Sequence, residues 1–312
     1  MPIDLSLPPW NVKGDWSDNG SAIDDASNFY GVDNGTLPDN GGAIGETLML
    51  PRGSVVSGPI TLRYGVALQG VADYGTSLIA SPAVTGEIDF VRGGDPNSQY
   101  STFGGAIRHM KIHCSKTQET SPSVAAVRMT SVQDGLILDH VRIYGWKRRW
   151  LICENGQGGA SIISVRQVSG NTLTPGLPGA TFDYGEGTMI HVDGIEPSGG
   201  RIDPTDPESP SVPDTIGVLM RGGFAEFKRF HPELLDIGMQ INMRTAQCFC
   251  DNSFVTGGPG VNNLFVVNNN PAQIGGVRFE LVRRNGVTGY TVVNGQPGGQ
   301  HINTDIIDRI RI

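Results

Sequence analysis

Val66-Ala-Leu-Gln-Gly70, Met110-Lys-Ile-His-Cys114, Val141-Arg-Ile-Tyr-Gly145 and Ile190-His-Val-Asp-Gly194 share one shape. Each has two apolar residues one apart, a polar position, and then a glycine, whose place Cys114 takes once. Phe90-Val-Arg-Gly93, Arg166-Gln-Val-Ser-Gly170 and Val218-Leu-Met-Arg-Gly222 repeat it, and Phe254-Val-Thr-Gly257 and Leu281-Val-Arg-Arg-Asn-Gly286 extend it with looser spacing. Successive ends lie 21 to 35 residues apart, which suits a solenoid.

Strand length decides the type of solenoid. Between the repeats lie apolar runs of three to six residues, such as Leu136-Ile-Leu, Trp150-Leu-Ile and Ile162-Ile-Ser-Val. Helical repeats need ten or more residues of 3.6-residue periodicity, and these runs do not supply it. Short strands at two or three per turn describe a parallel β-helix, in which each coil hydrogen-bonds to the next about 4.8 Å away and glycines make corners. Composition agrees. The chain has 312 residues with 44 glycines and 20 prolines, about a fifth of the total against roughly 12% on average. Charged residues are 17%. A mainly helical fold is excluded, and the absence of a three-residue glycine period excludes collagen.

The net charge of −8 leaves no positive face for duplex nucleic acid, and the one basic run is Lys147-Arg148-Arg149. No nucleic-acid partner is expected. No stretch approaches the ~18 apolar residues of a membrane span, so no membrane insertion is expected either. The four cysteines, at 114, 153, 248 and 250, form no CxxC pair. Buried free thiols are expected, with no metal site and no cofactor.

Asn11-Val-Lys-Gly-Asp-Trp-Ser-Asp18 followed by Ala22-Ile-Asp-Asp-Ala26 resembles the opening of the pectate-lyase-like right-handed parallel β-helix superfamily. Thr47-Leu-Met-Leu-Pro-Arg-Gly53, Pro59-Ile-Thr-Leu62 and Gly65-Val-Ala-Leu-Gln-Gly70 resemble its first coils in the same order. Trp16 stands where that family usually has glycine. The resemblance implies an all-β, right-handed parallel β-helix solenoid with a short N-terminal capping helix, its N-cap at Asp18 or Asn19. Residues 1–20 would form an N-terminal segment suited to attachment. Residues 21–312 would be one β-helix domain, with 300–312 as a tail contacting partner chains.

The superfamily contains lyases, hydrolases, epimerases and non-enzymatic phage spikes, so the fold alone leaves activity open. Met1-Pro-Ile-Asp-Leu-Ser-Leu-Pro-Pro9 lacks the basic and apolar regions of a secretory signal. That favours the phage tailspike type: a virion protein made in the host cytoplasm, homotrimeric, attached to other tail or capsid proteins and engaging a bacterial surface polysaccharide. The rival expectations are a free polysaccharide lyase or glycoside hydrolase, and a non-catalytic decoration protein of the virion.

Hydrolysis of a glycan needs two carboxylates on neighbouring coils, which local spacing does not reveal. The longest interruptions of the repeat, Glu196 to Asp214 and Phe224 to Ile237, are expected to be loops walling a groove. In the second, Glu233 and Asp236 are candidate acid and base, with His231 beside them. Trp146 and Trp150 are candidates for stacking on sugar rings, and Arg148 and Arg149 for contacting an acidic glycan; the alternative places the tryptophans in the core. Asn303-Thr-Asp305 matches a fragment of the polygalacturonase signature whose downstream partners are missing.

Overall fold

The computed structural model describes residues 2–31, 46–63, 65–72, 74–83, 89–93, 102–103, 105–113, 125–130, 132–133, 136–145, 149–154, 161–184, 188–242, 245–251, 261–268, 274–284, 289–293 and 302–308. Among these, a 14-stranded sheet, a nine-stranded sheet and a two-stranded pair account for the strands. The named strands pair in parallel, and those inside the two larger sheets meet the corresponding strands one coil before and one coil after. The protein is an all-β parallel β-helix.

Each coil has three faces, because the long strands of the larger sheet bend in the middle. In the early coils the two halves are separate strands, Ala67–Gln69 and Thr76–Ala80. Both then pair with the single strand Ala106–His113. Inward residues stack like on like. The first face stacks Leu48, Leu68, Ile107, Leu138, Val165, Val192 and Phe227. The second stacks Val55, Leu78, Ile112, Ile143, Gly170 and Pro197. The third, on the smaller sheet, stacks Leu62, Gly93, Met129, Cys153, Phe182, Met220 and Ile241. The Val, Leu, Ile, Phe and Met side chains in these rows are almost wholly removed from water, each contributing on the order of 1.5–3 kcal/mol.

The repeated motif marks strand–corner junctions without saying which junction. Phe90–Gly93 and Val218–Gly222 lie on the smaller sheet, whereas Val141–Gly145 and Ile190–Gly194 lie on different halves of the larger one. With three junctions per coil, a motif of two apolar residues and a glycine fits any of them.

The bend is a vertical row of left-handed residues: His109 (φ 56°), His140 (φ 53°), Gln167 (φ 49°), Gly194 (φ 94°) and Arg229 (φ 52°). They stand between register-matched neighbours on five successive coils. A left-handed residue costs a side-chain-bearing residue about 1–2 kcal/mol, and here the ladder bonds on both sides hold it. It also puts two consecutive side chains outward, so strand alternation slips by one. This slip corrects the expectation of a loop at Phe224 to Ile237. Phe224–Phe230 is a strand with Phe227 and Phe230 in the core, and Leu235–Ile241 is the next strand, on the smaller sheet. The turn at Arg229 disguises the alternation.

The helix spans Ala22–Tyr30 and closes the first coil. Its N-cap is Ser21 rather than Asp18 or Asn19, whose side chains serve the preceding turn. Asn19 Oδ1 accepts the Lys13 amide, its Nδ2 donates to the Val56 carbonyl, and Asp18 Oδ1 accepts the Gly20 amide. The helix covers Ile60–Leu62, the edge strand of the smaller sheet. Asp24 Oδ1 accepts the Thr61 amide at 2.6 Å, Ser27 Oγ donates to the Thr61 carbonyl at 2.7 Å, and the Arg63 amide donates to Ser27 Oγ. Edge groups that a preceding strand would bond are thus bonded by helix side chains.

Residues 2–20 add a partial rung to the end of the larger sheet. Ile3–Asp4 pairs with Thr47–Met49, Asp15–Asp18 pairs with Gly53–Ser57, and Leu5 and Val12 are buried. At the other end, Ile302–Asp308 pairs with Ile274–Arg284, and the rest of the 300–312 tail lies outside the described residues. Cys153 and Cys248 are buried; Cys114 lies outside the described residues.

Candidate functional site

The outer side of the second face carries two polar columns just beyond the bend. One runs Ser77, Lys111, Arg142, Ser169 and Glu196 in register. His231 continues it, since its amide donates to the Ile195 carbonyl at 2.9 Å. The second holds His113 and Tyr144 in register, then Asn171, Ser198 and Glu233. Strand alternation and the bend dictate this: inward Val168 and Ile195 force Ser169 and Glu196 outward.

Between and beside these columns lie two adjoining hollows, of about 460 Å³ and about 390 Å³. Arg142, Ser169 and Glu196 line both, so together they make one groove across successive coils. Gly194 opens it, because the row that elsewhere carries His140, Gln167 and Arg229 has no side chain there. At one end the Arg142 guanidinium lies 4.8 Å from the ring centroid of Tyr74, and the His113 ring packs against Tyr144 at a 59° tilt with centroids 4.7 Å apart. Burial pulls the His113 imidazole below its ordinary range, favouring the neutral ring. At the other end, His231 Nε2 lies 3.5 Å from Glu233 Oε1. Single ligand atoms of Glu196, His231 and Glu233 all lie within 4.8 Å of one another.

The neighbouring outer columns are paired charges. Register aligns Arg108, Asp139, Arg166, Asp193 and Lys228, alternating in sign. Arg229 Nε meets Asp193 Oδ1 at 2.5 Å. The hydrogen bond from Lys228 and then the one from His191 hold the Glu226 carboxyl below its usual range. These pairs brace the outer surface next to the groove.

Among the sequence candidates, His231 and Glu233 come together beside the groove, and only His231 lines it. Asp236 does not join them: it is the second residue of the strand Leu235–Ile241 on the smaller sheet, where its Oδ2 accepts the Asp214 amide at 3.0 Å. Trp150 is corrected from surface to core. It is fully buried, and its Nε1 donates to Thr172 Oγ1 at 3.2 Å. Gly170 and Gly179 make room for it, since a Cβ at either would strike the indole. Arg149 lies partly buried on the smaller sheet, where burial and then the charge of Arg128 lower its pKa. Trp146 and Arg148 lie outside the described residues. Sequence reading missed Tyr74, Lys111 and Arg142 as one site, because only the register between coils assembles them. Glu196, noted as the start of a loop, is the last outward strand position but one before that excursion.

The three-faced coil of parallel strands with its helix cap is a parallel β-helix architecture. No family model matches the chain, and no curated protein matches it. Among solved structures, it is similar to ORF18 of Geobacillus virus E2, at 12% identity and a TM-score of 0.48 over 98% of this chain and 60% of that one. It is also similar to a polygalacturonase from Erwinia carotovora ssp. carotovora, at 13% identity and 0.49 over 93% of this chain and 82% of that one. A third is tailspike protein gp49 of Acinetobacter baumannii bacteriophage Fri1, a capsular polysaccharide depolymerase, at 10% and 0.46 over 95% of this chain and 55% of that one. The chain thus spans somewhat over half the length of the two viral proteins. The fold assignment rests on the strand register of this protein itself.

Proposed function

We propose that the groove binds a bacterial surface polysaccharide, and that the protein is a receptor-binding component of a phage virion. One observation carries the binding reading: a continuous open groove crosses successive coils, with Tyr74, Arg142 and Lys111 towards one end and Glu196 and His231 towards the other. A repeating linear polymer matches a surface that itself repeats about every 4.8 Å. Arg142 and Lys111 favour an anionic sugar, and the Tyr144 and Tyr74 rings offer apolar faces. The virion setting is supported by the resemblance over residues 11–79 to a superfamily that includes phage spikes.

A homotrimer of side-by-side rods is part of this proposal. Ile162, Met189 and Phe224 stack in register on three coils, yet each is 40–50% exposed. A stripe of large apolar side chains parallel to the rod axis suits burial against copies of itself around an axis in the same direction. The test of the binding reading is affinity for capsule and lipopolysaccharide preparations, compared between the wild type and groove variants. A decoration protein would bind none of them.

A further inference from the structure

We infer that His109 and His140 bind one divalent transition-metal ion, with zinc the case that the geometry fits. Neither histidine lines the groove, so this does not rest on the glycan reading. The two imidazoles stand 31 residues apart in sequence but one coil apart in space, between the register-matched pairs Arg108–Asp139 and Met110–Val141. Both residues take the same left-handed backbone, φ 56° and 53°, so their side chains leave the bend in the same direction. Their ring centroids lie 5.2 Å apart, with the planes 31° from parallel. Two imidazoles on one tetrahedral zinc, at ~2.0–2.1 Å per zinc–nitrogen bond, have centroids about 5 Å apart. The spacing therefore matches a shared ion, and turning each ring about its own side-chain bonds aims the nitrogens without moving the backbone. Ring packing alone spans ~4.5–7 Å, so a second feature must single out a ligand site.

That feature is the carboxylate behind His140, whose Nδ1 lies 2.7 Å from Asp139 Oδ1. A carboxylate only accepts, so the proton sits on Nδ1 and the Nε2 lone pair is left for a metal. A carboxylate behind a ligating imidazole fixes its tautomer and orientation and raises its basicity, an arrangement that recurs at metal centres. The bend supplies this partner by turning Asp139 and His140 outward together. Asp139 is 17% exposed and the His140 side chain 40%, so the support lies inside and the ligand atom faces solvent. His109 is half-buried, which leaves its ring within reach of an ion. Arg108 and Arg166 flank Asp139 in register, so no bare acidic patch draws the ion, and the nitrogen donors select it. Imidazole suits zinc, copper and nickel, whereas calcium and magnesium take oxygen ligands. Water fills the remaining positions, and the bound ion ties two coils together at the bend. Cysteine spacing does not reveal such a site, because only coil register brings the two histidines together.

The test titrates the full chain, first freed of metal by a chelator and dialysed, with zinc chloride in a calorimeter. One ion bound per chain is expected, with a Tm that rises on adding zinc, because the ion binds only the folded arrangement. D139A should weaken zinc about tenfold, and H109N and H140N by more than that, each also removing the rise in Tm. D139N, which keeps an acceptor for Nδ1, should fall between D139A and the wild type. The metal-free Tm of each variant shows that the rod is intact. A measurement on the wild type alone stands beside these. Zinc should protect His109 and His140 from diethyl pyrocarbonate, read by peptide mass spectrometry, while His191 stays reactive. Absence of zinc binding, an equal response to calcium, or zinc that leaves both histidines reactive overturns the inference. So does zinc that is lost in H231N and kept in H140N, which would put the ion at Glu196, His231 and Glu233.

Discussion

The guanidinium of Arg142 lies over the ring of Tyr74, 4.8 Å from its centroid, although 68 residues separate them in sequence. The pair fixes the cationic end of the groove. A cation over an aromatic face contributes about 0.5–2 kcal/mol. R142A should therefore weaken binding of an anionic glycan by roughly tenfold or more, through loss of both charge and ring contact. Y74A, which leaves the charge, should cost less. Calorimetric titration of the two variants checks the order, and unchanged thermal unfolding shows that the rod is intact.

Trp150 crosses the core where Gly170 and Gly179 make room for it. W150A should destabilise the protein by about 3–5 kcal/mol. G179A should also be strongly destabilising, because its methyl group would collide with Thr172 Oγ1 and the indole. Chemical denaturation of both, with intrinsic fluorescence as one probe, measures the losses. Wild-type stability in G179A would refute the packing described.

Burial pushes the Cys153 thiol up to about 12. The folded state therefore keeps its proton when an unfolded thiol, near 8.5, has lost it. The resulting stabilisation is complete below about pH 8.5 and falls away as pH rises towards 12. At pH 8 a thiol-specific dye should leave Cys153 unmodified in the folded protein and modify it after denaturation. Mass spectrometry of the labelled peptide provides the check. Rapid labelling in the folded state would contradict the burial.

The helix cap bonds the edge strand through Asp24 and Ser27. S27A removes the donor to the Thr61 carbonyl and the acceptor of the Arg63 amide. The expected cost is about 1–3 kcal/mol, because the edge groups are left partly unbonded. Hydrogen exchange should show faster opening of the Thr61 and Arg63 amides in S27A, with the strand Leu136–Tyr144 unaffected.

The exposed apolar column predicts its own result. F224E or M189E should shift a self-associated species towards monomer in light scattering, while leaving glycan affinity per chain unchanged. A wild-type protein that is monomeric at high concentration would remove the support this column gives to a trimer.

The coil repeat was legible because each inward strand residue must be apolar and each corner favours glycine, as in Val141-Arg-Ile-Tyr-Gly145. The capping helix was legible from Ala22-Ile-Asp-Asp-Ala26, although Ser21 took the N-cap that Asp18 or Asn19 was expected to fill. The bend was not legible. His109, His140, Gln167 and Arg229 adopt a left-handed conformation that has no marker in side-chain type, and the slip at Arg229 made a strand look like a charged loop. Nor was the groove legible. Tyr74, Arg142 and Glu196 are neighbours only through coil register, which depends on the number of residues each corner consumes. Trp150 shows the same limit from the inside, since the glycines that admit it lie on later strands.

The most direct test of the central claim is equilibrium binding of the full chain to a panel of bacterial capsule and lipopolysaccharide preparations, with the K111A/R142A double variant alongside. The account predicts saturable binding to at least one anionic polysaccharide, weakened at least tenfold in the double variant at unchanged Tm. Binding that is unaffected by the double variant, or absent across the panel, would contradict it.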